Sequence, residues 1–213
     1  MKKMAAILKD HDYSFRQLAG APFHDIQFER VNFSNANLTG ADFTNCLCID
    51  CDFSDALLKN ASFESADLRG CNLQGADISG ANMYFSMLEG ANLQDVIYDD
   101  QTNYFKMYCP EEGPIIGYKK CFDYRIVQLL IPADARRTSA TNNTCRCDKA
   151  KVLSIKDMYT NKDYDEAVAY ADGNFVYRTG EWVEAKNFNP DRWVDSTGGI
   201  NFFMTREEAE AYL

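Results

Sequence analysis

Between residues 21 and 100 every fifth position is apolar or cysteine. The series runs Phe23, Phe28, Phe33, Leu38, Phe43, Cys48, Phe53, Leu58, Phe63, Leu68, Leu73, Ile78, Met83, Leu88, Leu93 and Tyr98. Two residues before each stands a mostly small residue, as in Ala36, Ala41, Cys46, Cys51 and Ala56, and Asn or Asp usually sits between the two. An α-helix cannot keep every fifth residue inside, because five residues advance it by about 140°. A strand of period two would turn alternate repeats to opposite faces. The segment is therefore sixteen in-frame pentapeptides that follow neither standard period.

After Asp100 this register stops. Val-, Ile- and aromatic-rich runs bounded by turn residues predict strands over 115–122, 126–131, 150–155, 175–178 and 200–204. Asp172-Gly173-Asn174 supplies a turn, and the polar stretch 138–144 predicts a loop. Thr205 followed three residues later by Glu208 forms a capping box, which predicts a terminal helix over 205–212. Residues 101–213 thus read as a small α+β domain.

Ala36-Asn37-Leu38-Thr39-Gly40, Ala66-Asp67-Leu68-Arg69-Gly70 and Ala91-Asn92-Leu93-Gln94-Asp95 make residues 21–100 resemble the pentapeptide-repeat family, whose signature is Ala-(Asp/Asn)-Leu-X-X. Cys46-Leu47-Cys48, Leu57 and Met87 depart from it locally. The resemblance covers 80 of 213 residues and implies a right-handed quadrilateral β-helix, with the central and the small residue of each unit inward. At four pentapeptides per coil, sixteen units make four coils. Such a stack needs capped ends, and residues 1–20, with Met4, Ile7 and Leu8, are assigned to an N-terminal cap. Residues 101–213 resemble a poorly characterised domain that often follows such repeats in bacterial and viral proteins. Cys109-Pro110-Glu111-Glu112-Gly113 and Gly199-Ile200-Asn201-Phe202-Phe203-Met204-Thr205 are among the stretches that carry this likeness. Its pattern favours Cys and His near Ser196 and Asn201, where this chain has neither. The expected fold is mainly β, a four-coil β-helix followed by the α+β domain.

The formal net charge is −10, and residues 21–100 alone hold three basic and thirteen acidic residues, net −10. Phosphate contacts need a basic surface, so direct nucleic-acid binding is not expected. The resemblance adds another possibility, because some members of the pentapeptide-repeat family imitate duplex DNA and bind topoisomerases. Four coils at about 4.8 Å span about 19 Å, a length over which duplex DNA carries about 11 charges. The density matches, but each side of the square carries net −2 or −3, whereas a mimic needs a directed stripe. Two readings stand: carboxylates that solvate a solenoid, or an acidic surface offered in place of DNA or RNA.

Cys46, Cys48 and Cys51 look like a C-x-C-x-x-C metal motif, yet the register turns all three and Cys71 inward, where Cys packs as a small hydrophobe. Cys109, Cys121, Cys145 and Cys147 lack a CxxC knuckle, which leaves buried or free thiols against a zinc site. No histidine follows His24, so 101–213 has no Ser/His or Cys/His pair, and no cofactor is expected. The opening apolar run is too short for a signal peptide, no stretch approaches a membrane span, and eight cysteines without an export signal read as reduced thiols in a cytoplasm. The expected function is a non-catalytic protein-binding module. In its sharpest form it is a phage or mobile-element inhibitor of a nucleic-acid-processing enzyme. Candidate partner-binding residues are Asp42, Asp52, Asp67 and Asp77 on the repeat, and Arg136 and Arg137 before the polar loop. One alternative is an enzyme with its site in 101–213, marked by a deep polar pocket at Arg136, Arg178 or Arg206. The other is a structural module forming homo-oligomers through an apolar end at Ile97 and Tyr98.

Overall fold

The computed structural model describes residues 6–170, 173–195 and 197–212. Met4, Asp172 and Ser196 lie outside them. The chain is mainly β, with one six-residue α-helix among the described residues, and it divides into two compact units, Met1–Lys106 and Met107–Leu213. No described helix is long and apolar enough to cross a membrane.

In the first unit, parallel partners stand twenty residues apart, so one circuit takes four pentapeptides. One column runs Asp12, Asn32, Asp52, Asn72, Asn92, and another Gln17, Asn37, Leu57, Asp77, Ile97. Strands β1 (Ala6–Lys9), β2 (Ile26–Glu29) and β3 (Leu47–Ile49) begin a third, which continues to Asp67 and Met87. Central residues face inward: Phe33, Phe43, Phe53 and Phe63 are all fully buried. Phe33 stacks on Phe53 at 5.0 Å and Phe43 on Phe63 at 5.0 Å, while Phe43 meets Phe53 edge-on at 5.6 Å. Each such pair adds about 0.5–1.5 kcal/mol beyond its buried area.

The polar positions between them make the corners. The side-chain oxygens of Asn32, Asp42 and Asp52 accept the backbone N–H two residues on, from Ser34, Thr44 and Ser54. The fifth residue of the unit then takes a left-handed conformation, as at Asn35 (φ 57°) and Asp55 (φ 55°), which explains the Asn, Asp and Gly found there. At Gly75 (φ 67°) an added Cβ would lie 2.3 Å from Asp55 Oδ1, so a side chain there would have to displace the Asp55 carboxylate.

The ladder extends beyond 21–100 at both ends, which corrects the expected cap and boundary. Residues 6–20 are already a coil: β1 pairs with β2, Asp12 with Asn32 and Gln17 with Asn37. Leu8, Tyr13 and Leu18 keep the central frame, and His11 and Arg16 are tolerated at the small position because both are exposed at this edge. At the other end Asn82 pairs with Asn103, one residue later than the period predicts. The extra residue sits in a turn held by Thr102, whose hydroxyl donates to the Ile78 carbonyl at 3.2 Å and to Asp99 at 3.0 Å.

The second unit is built from two antiparallel sheets and a short strand pair. Strands β4 (Ile115–Cys121), β5 (Arg125–Ile131), β8 (Lys149–Asp157) and β11 (Trp182–Glu184) form one sheet in the order β11-β8-β5-β4. Strands β6 (Arg137–Ser139), β7 (Cys145–Cys147) and β12 (Ile200–Phe202) form the other, and β9 (Glu166–Val168) pairs with β10 (Val176–Arg178). Tyr118 and Phe203 bridge β4 to the end of β12. Val127, Leu129, Ile131, Val152, Tyr177 and Phe202 are central to the shared core. Helix α1 (Arg206–Ala211) starts with the expected capping box of Thr205 and Glu208. The expected loop 138–144 differs: Arg137–Ser139 is a strand, and Ala140, Thr141 and Asn142 are buried. Several polar groups there are bonded: the Arg192 guanidinium donates to the Ser139 and Ala140 carbonyls, Ser139 Oγ accepts from the Tyr108 N–H, and Asn142 accepts from the Thr144 N–H.

Phe53→Ala should cost about 3–5 kcal/mol of stability, since it empties a stacked core site. Thr205→Ala should cost only about 1 kcal/mol, the value of one N-cap. Chemical denaturation of the two variants checks both the magnitude and the order.

Candidate anion-binding cleft

Alternation along β4 puts Gly117, Lys119 and Cys121 on one face. Gly117 and Cys121 are buried there, so Lys119 holds a core-facing position. Gly117 must stay small, because a Cβ would lie 2.4 Å from the Phe202 ring. The Lys119 Nζ donates to the Asn201 carbonyl at 3.1 Å. Burial pulls its pKa below the ordinary lysine value, and the ionisable groups that act on it are the Cys121 and Cys147 thiols rather than any carboxylate. Lys119 is half-buried, and among the described residues its ammonium has one hydrogen-bond acceptor, a carbonyl, and no ion pair.

Lys119 and Asn201 line two clefts, of about 610 Å³ and about 350 Å³. Phe175, Tyr177, Glu184, Lys186, Asn187 and Gly198 also line the larger one. The smaller adds Lys120, Thr144, Tyr170, Phe203 and Tyr212. Arg146, buried on β7, fixes the wall of the larger cleft: its guanidinium donates to the carbonyls of Asn189 (3.3 Å), Asp195 (3.0 Å) and Asp191. Gly198 lets that segment close, since a Cβ would lie 2.0 Å from the Asn187 carbonyl oxygen. Lys120 is occupied, donating to the Glu210 carbonyl at 3.1 Å and the Tyr212 carbonyl at 2.7 Å. Three lysines against one glutamate line these clefts in a chain of net charge −10. Such a lining gives these clefts a positive local potential.

The sequence candidates lie elsewhere. Asp42, Asp52, Asp67 and Asp77 fall in four different columns of the ladder, so the fold separates them. Each is also engaged at home. Asp42 accepts from Thr44, which lowers its pKa, and Asp52 accepts from Ser54 and from the Asn72 amide at 3.0 Å. Asp67 takes both the Nε (2.9 Å) and the Nη2 (2.6 Å) of Arg69. At Asp77 burial acts upward, but bonds from Ser79 and the Lys59 ammonium at 3.1 Å outweigh it and lower the pKa. Arg136 donates to Asp148 at 2.8 Å and lies over the Phe188 ring, while Arg137 donates to the Gly113 carbonyl at 2.7 Å. None of these six residues, nor Arg178 or Arg206, lines either cleft.

All eight cysteines are buried. Cys46 donates to the Phe23 carbonyl at 2.9 Å, and burial pushes its thiol up to about 12. Among the described residues no group of three or more His, Cys, Asp or Glu is placed to hold a metal ion. Ile97 and Tyr98 are exposed, though the Tyr98 ring packs against Phe105 at 4.9 Å.

Comparison with known proteins adds a family to each unit. Residues 13–100 match the model of the pentapeptide repeat region, and residues 105–209 match a family of unknown function, DUF5758. No curated protein matches the chain. Among solved structures, a pentapeptide repeat protein of the Arabidopsis thaliana thylakoid lumen is 29% identical, with 45% of this chain and 66% of that one covered and a TM-score of 0.43. HetL, a pentapeptide repeat protein involved in heterocyst differentiation regulation from the cyanobacterium Nostoc, is 21% identical over 43% of this chain and 61% of its own, with a TM-score of 0.23. QnrB1, a plasmid-mediated fluoroquinolone resistance protein, is 20% identical over 46% and 55%, with a TM-score of 0.20. The chain spans less than two thirds of the length of each, and at these scores they add nothing to the ladder seen in the repeat itself.

Lys119→Met keeps the length of the side chain and removes the buried ammonium. The melting temperature should rise by a few degrees, at about 4–8 °C per kcal/mol recovered in a domain near 100 residues. A fall in calorimetry would show that the ammonium stabilises the fold instead.

Proposed function

We propose, for a chain that joins a pentapeptide repeat region to a domain of the DUF5758 family, that it is a non-catalytic binding protein. The repeat serves as a stiff polar stem, and the second unit takes an anionic group of its partner in the cleft around Lys119. In this reading the stem is a right-handed, four-sided β-helix with four complete coils over 21–100, and the second unit is a small α+β domain. The observation that carries the proposal is a half-buried lysine on the face of Gly117 and Cys121 whose one hydrogen-bond acceptor among the described residues is the Asn201 carbonyl, and which lines two clefts. Burying a cation without an anionic partner costs several kcal/mol, and a bound anion offsets that cost. The separation of Asp42, Asp52, Asp67 and Asp77 onto four columns supports placing recognition in the second unit rather than on an acidic face of the repeat. A partner that offers a carboxylate or a phosphate fits this site; nucleic acid as a polymer does not fit the acidic whole.

Titration of the full chain with acetate, inorganic phosphate and pyrophosphate, followed by calorimetry, tests this. At least one anion should bind to the native chain and lose tenfold or more in affinity in Lys119→Met. Affinity should also weaken as pH rises, beginning below about 10.4, the ordinary lysine value, because only the ammonium form attracts an anion and burial lowers its pKa. Binding that is absent, or equal in the variant, would remove the reading.

A further inference from the structure

The smaller cleft has walls of a particular kind. The Tyr170 ring packs against Phe122 at 4.6 Å, and Tyr170 stays 41% exposed. Phe203 and Tyr212 lie 5.4 Å apart, with Tyr212 51% exposed. Both tyrosines therefore line the cleft with part of their surface still open to water. Lys119, Thr144 and Asn201 complete its polar lining. Lys120 shares the lining and adds positive charge, but two of its three N–H donors go to carbonyls at the end of α1, whereas Lys119 gives one to the Asn201 carbonyl. At about 350 Å³ the cleft lies near the lower limit of small-molecule sites, roughly 300–1,000 Å³, which suits one or two rings rather than a chain.

We infer that the smaller cleft binds a planar aromatic acid, its ring between Tyr170 and the Phe203–Tyr212 pair and its anionic group on Lys119. This rests on the anion reading above and names the ligand class for it. Aromatic rings prefer offset or edge-to-face neighbours at about 4.5–7 Å between centroids, and a flat ligand ring supplies such a neighbour to both walls. An acyclic anion would satisfy Lys119 and leave the exposed tyrosine faces uncovered.

The full chain is titrated calorimetrically with benzoate, phenyl phosphate, cyclohexanecarboxylate and acetate. Benzoate or phenyl phosphate should bind at least tenfold more tightly than cyclohexanecarboxylate, which matches benzoate in charge and ring size but is not flat. Whichever aromatic probe binds more tightly identifies the acid as carboxylate or phosphate. In Tyr170→Leu, which keeps an apolar wall, the ratio of benzoate to cyclohexanecarboxylate affinity should fall toward one. Equal binding of the flat and puckered rings, with loss of both in Lys119→Met, would overturn the aromatic inference and leave the anion reading standing. Failure of all four probes to bind would overturn the aromatic inference, and the anion reading would then stand only if inorganic phosphate or pyrophosphate binds; binding indifferent to Lys119→Met would overturn both. A native-like melting curve for Tyr170→Leu separates loss of the ring from loss of the fold.

Discussion

Parallel pairing between residues twenty apart governs the first unit. Because Phe33 donates to the Asp52 carbonyl and Phe53 to the Asn72 carbonyl, each pentapeptide repeats the orientation of the one it stacks on. Two residues in five, the central and the small one, are then committed to the interior, and the polar residue between them is committed to turning the corner. The aspartates do local work under this constraint. Asp42 and Asp52 hold their own turns, Asp67 binds Arg69, and Asp77 binds Ser79 and Lys59. A high acidic density can thus arise from the geometry of corners, without any demand from a partner.

The second unit spends its charges differently. Arg146 gives its guanidinium to three carbonyls and so fixes a segment that ordinary secondary structure does not hold. Lys119 spends its ammonium on one carbonyl while facing a core of thiols and rings. The first arrangement ties the segment down; in the proposed reading the second costs stability until an anion binds. Groups that cost stability without a ligand are the expected residue of selection for function.

Much of this was legible in the sequence. The five-residue frame matches the buried central positions from Phe28 to Leu88 and fails at its end, where Tyr98 is exposed, and the strand and helix signals of the second unit agree with β4, β5, β8, β10, β12 and α1. The frame was less clear before residue 21, where His11 and Arg16 break the small-residue pattern, although Leu8, Tyr13 and Leu18 continue the central one. Strand β6 and the buried stretch after it are polar in composition and so predict a loop, while the bonds that hold them come from Arg192 and Tyr108, a long-range fact that composition does not carry. The site was missed for a different reason. Charge was weighed by segment and arginines by cluster, while Lys119 is a single residue in Gly117-Tyr118-Lys119-Lys120-Cys121. Strict alternation would have placed it on the face of Gly117 and Cys121, which is the signal that was available. The clefts, however, need the segments around Asn187, Gly198 and Tyr170, and nothing local in those residues brings them to β4.

In the proposed reading Lys119 is a half-buried cation that pairs with an anion. Titration of its own ammonium by NMR in lysine-labelled chain, with Lys119→Met to assign the signal, tests this. Lys119 should titrate below the remaining lysines in the free protein and move upward when a binding anion saturates the cleft. A Lys119 that titrates with the surface lysines, and does not respond to any anion, would contradict it.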